Sequence, residues 1–234
     1  MLLLFHNTGN PRENMSVTVI IPAHNEAKNI EKVIKSTLPH TDSIIVVDDG
    51  STDDTLEKAL QTDTKVIGLR HEVNLGKGAA LKTGCDAARK LGADIMVCMD
   101  ADGQHKPENI PHFIRTLEEK NVHVVFGTRQ FNSNMPVIML LGNRLLSKTI
   151  QKLFRVFVRD TQSGFRAFTS EAYEMLRWKS SGYEVETEMI IRMGENKLKF
   201  AEIDIDTIYL DEYKGTTAID GMKILVQILK WKFL

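Results

Sequence analysis

Uninterrupted apolar runs alternate with stretches of helical periodicity along this chain. Val17–Ile21, Ile44–Val47, "KVIGL" at 65–69, "DIMVCMD" at 94–100 and "VHVVFGTR" at 122–129 each read as a buried strand. Pro22 is expected to stop the first of them. Between the strands, Ile30, Val33, Ile34 and Leu38 recur at helical spacing, a second helix runs to about Leu60, "GKGAALKTGCDAARKLG" at 76–92 is an Ala-rich helix bounded by glycine, and Pro107 opens another. Strands alternating with helices predict an α/β fold with a mostly parallel sheet, and runs apolar at every position predict a sheet covered on both faces.

In such sheets ligands sit beyond the carboxyl ends of the strands. Three predicted strands end there in polar clusters: Pro22-Ala23-His24-Asn25-Glu26, Asp48-Asp49 and Asp100-Ala101-Asp102. Asp is a poor strand residue and costs free energy to bury alone, so an apolar run ending in Asp-x-Asp points to a bound cation. Two carboxylates with room for water and phosphate oxygens suit Mg²⁺ or Mn²⁺. The competing reading is a solvated turn that caps the helix at Pro107, and the acidic end of the Asp48-Asp49 strand tips the balance toward a site. Gly76-Lys77-Gly78 lacks the GxxxxGK[ST] spacing of an ATPase loop. It reads either as backbone approaching a phosphate at a helix N-terminus, with Lys77 adding charge, or as a tight strand-to-helix turn.

Composition narrows the field. With 234 residues, 42% hydrophobic and 26% charged, the chain is long enough for one large α/β domain. Cys85 and Cys98 match no CxxC pattern and are expected to be reduced thiols, Cys98 within a strand, which suits a cytoplasmic setting. No run of eighteen uncharged apolar residues predicts a membrane-crossing helix, and "MLLLFHNTGNPREN" lacks a basic leader, so residues 1–15 are expected to be a flexible tail. His24, His105 and His112 show no compact zinc-ligand spacing. No recognition motif for nucleic acid is present. The formal net charge of −1 conceals an asymmetry: Lys120 through Arg159 contains seven Lys or Arg and no Asp or Glu.

Taken together and in this order, "VIIPAHNE", "VVDDGSTDDT", "NLGKGAA", "MDADGQHKPE", "GTR" and "DTQSGFRAF" resemble the inverting family-2 glycosyltransferases of GT-A fold, most closely the polyprenyl-phosphate (dolichol-phosphate) mannosyl- and glucosyltransferases. The resemblance runs from about Val17 to Lys232. It implies one GT-A domain over 16–234, its nucleotide-binding part about 16–130 and its acceptor- and membrane-facing part about 131–234. Pro22, His24, Glu26, Val47 and Asp49 match positions that contact base and ribose, with Lys77, Asp100 and Ala101 completing the donor set. Asp100 and Asp102 match the metal pair, with Gln104 as a further ligand. Asp102, Arg129, Arg166 and Glu188 are the implied catalytic group, Arg129 near the diphosphate and Glu188 near the sugar. Ser163, Gly164 and Arg166 match the segment associated with the acceptor phosphate, and Lys214 is a further acceptor candidate. Gly103 and Lys106 stand where many relatives carry Leu and Pro, and "TIYLDE" is closer to UDP-glucose-using relatives, so the donor is expected to be UDP-glucose-type or GDP-mannose.

The segment "NRLLSKTIQKLFRVFVRD" adds a membrane signal. Arg144, Lys148, Lys152, Arg155 and Arg159 fall within an arc of about 80° on an ideal helix, opposite Leu146, Ile150, Leu153, Phe154 and Phe157. One reading is a helix lying in an anionic membrane interface, and the other is a surface helix with its apolar face on the sheet. The C-terminal "GMKILVQILKWKFL" repeats the theme, with Trp231 and Phe233 suited to a headgroup boundary. Peripheral contact through 144–159 and 221–234, at the inner face of the cell membrane, is therefore expected. Two rival functions are a same-fold transferase with a soluble or polysaccharide acceptor, and a sugar-phosphate nucleotidyltransferase. The second wants a Gly-rich basic loop after the first strand, where this chain has "PAHNEAKN".

Overall fold

The computed structural model describes residues 15–129, 137–206, 208 and 218–233. Most of the expected tail, and Lys214, lie outside the described residues. Strand β1 (Val17–Ala23) lies between β2 (Ser43–Asp49) and β4 (Ile95–Cys98), with β3 (Val66–His71) beyond β2, and these four run parallel. Strands β5 (Val124–Arg129) and β7 (Phe200–Ile205) are parallel to each other, while β6 (Arg166–Thr169) is wedged between β4 and β5 and antiparallel to both. The seven-stranded order is β3-β2-β1-β4-β6-β5-β7. The fold is the expected mixed α/β sheet flanked by helices, with β6 as its antiparallel member.

Alternation along the strands divides the core in two. Val19, Ile21, Ile44, Val46, Ile95, Val97 and Val125 meet helices α1 (Ile30–Thr37), α2 (Thr55–Thr62) and α4 (Ile110–Glu119). Ile20, Ile45, Val47, Met96, Cys98, Val124 and Phe126 face the other layer, formed by α3 (Lys77–Lys90), α5 (Val137–Phe154), α6 (Ser170–Leu176), α7 (Val185–Glu195) and α8 (Ala218–Phe233). Each fully buried Ile or Val contributes roughly 1.5–3 kcal/mol, which explains why the central positions of these strands are apolar on both faces. Cys85 and Cys98 are buried free thiols in the second layer, as their sequence setting implied.

Two boundaries and two strands differ from expectation. Pro22 does not end β1, which continues to Ala23 while pairing Pro22 with Val47 of β2. On the other side the β1–β4 ladder stops at Ile20–Cys98, so Pro22 occupies an edge-like position where a missing N–H is tolerated. Two strands were not anticipated. The four residues of β6 begin on Arg166, and β7 alternates apolar and polar residues, "FAEIDI", as a half-covered edge strand does. Finally, α5 stops at Phe154, with Arg155 in the left-handed region at φ 62. The five basic residues therefore do not share one helix: Arg144, Lys148 and Lys152 do, whereas Arg159 turns back to ion-pair with Asp204 at 2.8 Å.

Candidate active site

Loops at the carboxyl ends of β1, β2 and β4 converge, but their acidic residues divide the work. Asp48 accepts from Ser51 N and lies 3.3 Å from Arg70 Nε. Asp49 is buried, and its carboxylate accepts from His71 Nδ1 at 2.7 Å, Leu75 N at 2.9 Å and Gly76 N at 2.7 Å. It ties the loop before α3 to the sheet, so its side-chain oxygens are engaged within the protein. His24 is exposed and donates from Nδ1 to the Asp49 carbonyl at 2.9 Å, and Glu26 Oε2 accepts from Asn29 Nδ2. Pro22 and Val47 are paired neighbours at the strand ends beside them.

Beyond β4 the chain turns sharply. Asp102 Oδ1 accepts from Gln104 N at 2.9 Å, and the Gln104 carbonyl accepts from Ile208 N at 3.0 Å. Buried Ala101 anchors the turn. His105 stacks on Phe165, ring centroids 5.0 Å apart, and its Nδ1 accepts from Asp100 N at 3.3 Å. Burial drives the His105 pKa down to about 4, so near neutrality it is an uncharged prop under the Asp100 backbone.

Asp100 meets a cation from another element. Lys77, the first residue of α3, places Nζ 2.6 Å from Asp100 Oδ1 and 2.8 Å from Glu186 Oε1 of α7. Burial opposes charging of Lys77, yet these two carboxylates outweigh it and hold its pKa above the usual lysine value. Asp100 feels the mirror effect: burial works against its ionisation, and Lys77 brings its pKa below the ordinary range. Asp102 behaves oppositely. Burial first, then the neighbouring Asp100 charge, pushes it up to about 6. Two acidic groups that resist joint ionisation, one of them without enough positive charge nearby, form a place where a divalent cation is favourable.

The donor set agrees with that. Among the described residues no three or more His, Cys, Asp or Glu side chains gather as a complete metal cage. The Asp100–Asp102 turn carries two carboxylates, and Gln104, whose backbone N–H closes that turn, adds an amide oxygen to the hard donors the local sequence offers. This suits Mg²⁺ or Mn²⁺ completed by water and substrate phosphate, and it does not suit zinc.

The segment preceding β6 closes the far side. A Cβ on Gly164 would lie 2.7 Å from Asp100 Oδ2 and 2.9 Å from Lys77 Nζ, so only glycine lets this backbone rest against the ion pair. Ser163 Oγ is buried beside it without a hydrogen-bond partner. Arg166 is 1% exposed. Its guanidinium donates to the carbonyls of Ser163, Glu186 and Thr161 and lies 5.0 Å from the Phe126 ring centre. Arg166 is therefore a strut inside the wall of the cleft. Arg129 makes a bidentate pair with buried Asp160, at 2.7 and 2.9 Å.

Helix α7 presents Glu186 to Lys77, and two residues on, Glu188 faces away. Glu188 accepts from Lys179 N, Ser180 N, the Ser180 hydroxyl and Arg192 Nε. It fastens the 178–182 loop, which lies over the start of α3: Ser181 O accepts from Ala79 N, and Trp178 Nε1 donates to Gly78 O. A Cβ on Gly78 would come 2.4 Å from Ser180 O. The glycines of 76–78 thus serve close packing, and the Ala79 N–H that a phosphate would use is taken. Glu186 is the site residue that motif matching missed. The signal lay in helical geometry, since residues two apart point about 200° apart and Arg192 at i+4 claims Glu188.

Residues 18–177 match the profile described as glycosyl transferase family 2. This chain belongs to that family. A UDP-N-acetylglucosamine–dolichyl-phosphate N-acetylglucosaminyltransferase of Methanococcus voltae is 38% identical to this family-2 chain, covering 92% of it and 96% of the relative. The dolichol-phosphate mannosyltransferase of Pyrococcus furiosus is 28% identical, over 93% of this chain and 65% of that one. Among solved structures, glucosyl-3-phosphoglycerate synthase of Mycobacterium tuberculosis, in complex with Mn²⁺, UDP and phosphoglyceric acid, superposes with a TM-score of 0.75 at 23% identity, over 94% of this chain and 80% of that one. That likeness establishes a GT-A fold, and with the family it makes this protein a glycosyltransferase.

Proposed function

We propose that this glycosyltransferase moves one sugar, with inversion, from a nucleoside-diphosphate sugar to a polyprenyl (dolichyl-type) phosphate at a membrane surface. The observation carrying the proposal is the Asp100–Asp102 turn at the carboxyl edge of the sheet, in a chain 38% identical along its length to a dolichyl-phosphate sugar transferase. That relative also favours a UDP-linked donor over GDP-mannose.

The chemistry asks little of a base. A phosphate monoester has a second pKa near 6, so the acceptor is already mostly ionised at pH 7. One of its oxygens attacks the anomeric carbon from the face opposite the leaving group. The bond from that carbon to the diphosphate oxygen breaks, and its electron pair leaves with the nucleoside diphosphate. Mg²⁺ or Mn²⁺, when held by Asp100, Asp102 and Gln104, supplies Lewis-acid stabilisation of the departing charge. The chain itself brings two anions together: Lys77 and Arg129 furnish positive charge at the cleft, Arg166 fixes the wall carrying Ser163 and Gly164, and Glu188 fixes the loop over α3. Ser163 Oγ, buried and unpartnered, is the group in that wall able to donate to an acceptor phosphate oxygen.

Membrane contact is assigned to the outer surface of α5 and α8, which pack on each other. The apolar side of α5 first read as membrane-facing is inward: Leu146 and Ile150 are buried in the core. Leu141 and Leu145 are exposed instead, as are Met222, Val226, Leu229 and Phe233, which follow at helical spacing on the outside of α8. Arg144, Lys148 and Lys152 border them, exposed and without ion-pair partners among the described residues. Trp231 packs onto the core, while Phe233 remains 70% exposed. An apolar stripe rimmed by lysine and arginine suits an anionic lipid interface. No helix among the described residues is long and apolar enough to cross a membrane, and the contact proposed here is a peripheral one. The free buried thiols favour a reducing compartment, and so the cytoplasmic face.

The test is incubation with Mn²⁺, a panel of UDP- and GDP-sugars and a short polyprenyl phosphate, with lipid products followed by mass spectrometry. A glycosylated lipid phosphate is expected. Transfer only to water, free sugar or a soluble acceptor removes the lipid assignment.

A further inference from the structure

Glu186 is a buried acid with no part in the displacement written above. It is 4% exposed, its backbone carbonyl is gripped by Arg166, and its Oε1 has Lys77 Nζ 2.8 Å away but no donor aligned on its lone pairs. Lys77 in turn spans Glu186 and Asp100, with the Lys77 and Asp100 side chains only 17% and 25% exposed. The backbone at Gly164 walls in the contact, close enough that an added Cβ would touch both Asp100 Oδ2 and Lys77 Nζ. An ammonium therefore occupies the carboxylate that a divalent ion needs.

We infer that Lys77 is a resident cation: it holds Asp100 in the metal-free protein and yields it when metal and nucleotide diphosphate arrive, while Glu186 retains the ammonium in the cleft. The inference rests on Asp100 and Asp102 being the metal ligands. Its physical basis is exclusion. A divalent ion binds carboxylate oxygen at about 2.0–2.1 Å for Mg²⁺, and an ammonium 2.6 Å from the same carboxylate repels it at contact distance. The backbone around Lys77 cannot retreat, because Ser181 O holds Ala79 N and Trp178 holds the Gly78 carbonyl. Only the side chain swings. Glu186, pinned by Arg166, keeps that swing short, so the ammonium finishes beside the incoming diphosphate. Metal alone meets a closed site, whereas the diphosphate offers Nζ a new anionic partner and so opens Asp100.

Mn²⁺ binding, read by the electron paramagnetic resonance signal of the free ion, tests this without turnover. Wild-type protein without nucleotide is expected to bind Mn²⁺ weakly. Lys77→Met combined with Glu186→Gln removes the ammonium and its second partner together, avoiding a bare buried carboxylate. If the open form is about one-tenth of the wild-type population, this variant binds Mn²⁺ about tenfold more tightly without nucleotide. Lys77→Arg, which keeps the charge, should remain as weak as wild type. Adding UDP, whose phosphate oxygens add ligands in every form, should tighten wild type by a larger factor than the double variant. Single Lys77→Gln gives the same ordering should the double variant not fold. Unchanged or weaker Mn²⁺ binding once the ammonium is gone overturns the inference. A wild type that binds Mn²⁺ with UDP while no variant binds more tightly without it sinks only the resident-cation idea. Absence of Mn²⁺ binding by every form, with UDP or GDP, removes the metal site itself and the inference with it.

Discussion

The parallel half of the sheet and the half built around β6 carry their functional residues in opposite ways. In β1, β2 and β4 each strand delivers polar residues forward, so the residues after an apolar run lie at the cleft. In the other half, β6 runs backward, and the residues before the strand, Asp160 through Phe165, reach the same edge. The first arrangement brings short acidic side chains to the strand ends, where Asp48 and Asp49 are buried and tied to neighbouring loops while Asp100 and Asp102 stand at the turn. The second turns its charged residues inward: Arg166 onto three carbonyls, Asp160 onto Arg129, Glu188 onto a loop. Charge in the first half is divided between loop anchoring, by Asp49, and the proposed cation site at Asp100 and Asp102, whereas charge in the second holds the wall in shape. Where a motif residue ends up thus depends on strand direction as well as on residue type.

The largest effect that would sharpen this contrast is expected for Asp102→Ala. Removing a ligand of the proposed cation should lower the transfer rate by about a thousandfold or more while leaving the urea midpoint near wild type. A variant retaining a tenth of the activity would put Asp102 in the structural class. Arg166→Met should do the reverse. It leaves three buried carbonyls without their donor, at about 1–3 kcal/mol for each unsatisfied group, so a loss of roughly 3 kcal/mol in urea unfolding is expected. Full stability with a raised acceptor KM would instead make Arg166 a ligand-facing residue and break the comparison.

Gly164→Ala tests the contact between the halves. The new methyl must displace Asp100 or Lys77, and a shift near 1 Å at a reacting centre costs up to about a hundredfold in rate. Transfer is expected to fall by roughly that factor, with circular dichroism unchanged. The smallest effect concerns the outer surface. Lys148→Glu with Lys152→Glu should weaken sedimentation with anionic vesicles about tenfold or more, increasingly so at low salt, and spare nucleotide binding. Vesicle binding equal to wild type would move the membrane contact away from α5.

Much of the half from β1 to β5 was legible because its rules are local. Continuous apolar runs, turns after strands and one acidic pair identify β1 to β5, the helices between them and the Asp100–Asp102 turn. Legibility failed where a side chain's partner is distant in sequence. Nothing in "VVDDG" tells that Asp49 is spent on His71, Leu75 and Gly76. Nothing in "SGFR" tells that its arginine is buried, since β6 is four residues long and its reversal follows from pairing with β4 and β5. The basic stripe misled for another reason. Angular arithmetic assumes the helix continues, and the left-handed Arg155 ends it. On α8 both faces are apolar, so periodicity alone could not show which face the core takes and which is left outside.

Strand β6 has a consequence for how such a protein diversifies. Because β5 ends and β6 begins at the same edge of the sheet, everything from Arg129 to Phe165 is an excursion that departs and returns within a few ångströms, clasped at its base by the Arg129–Asp160 pair. Strand register does not depend on the length of that excursion, whose fixed part is the inner face of α5, where Leu146 and Ile150 join the core. A glycosyltransferase scaffold can thereby change what lies between two clasped ends while its strand order stays as it is.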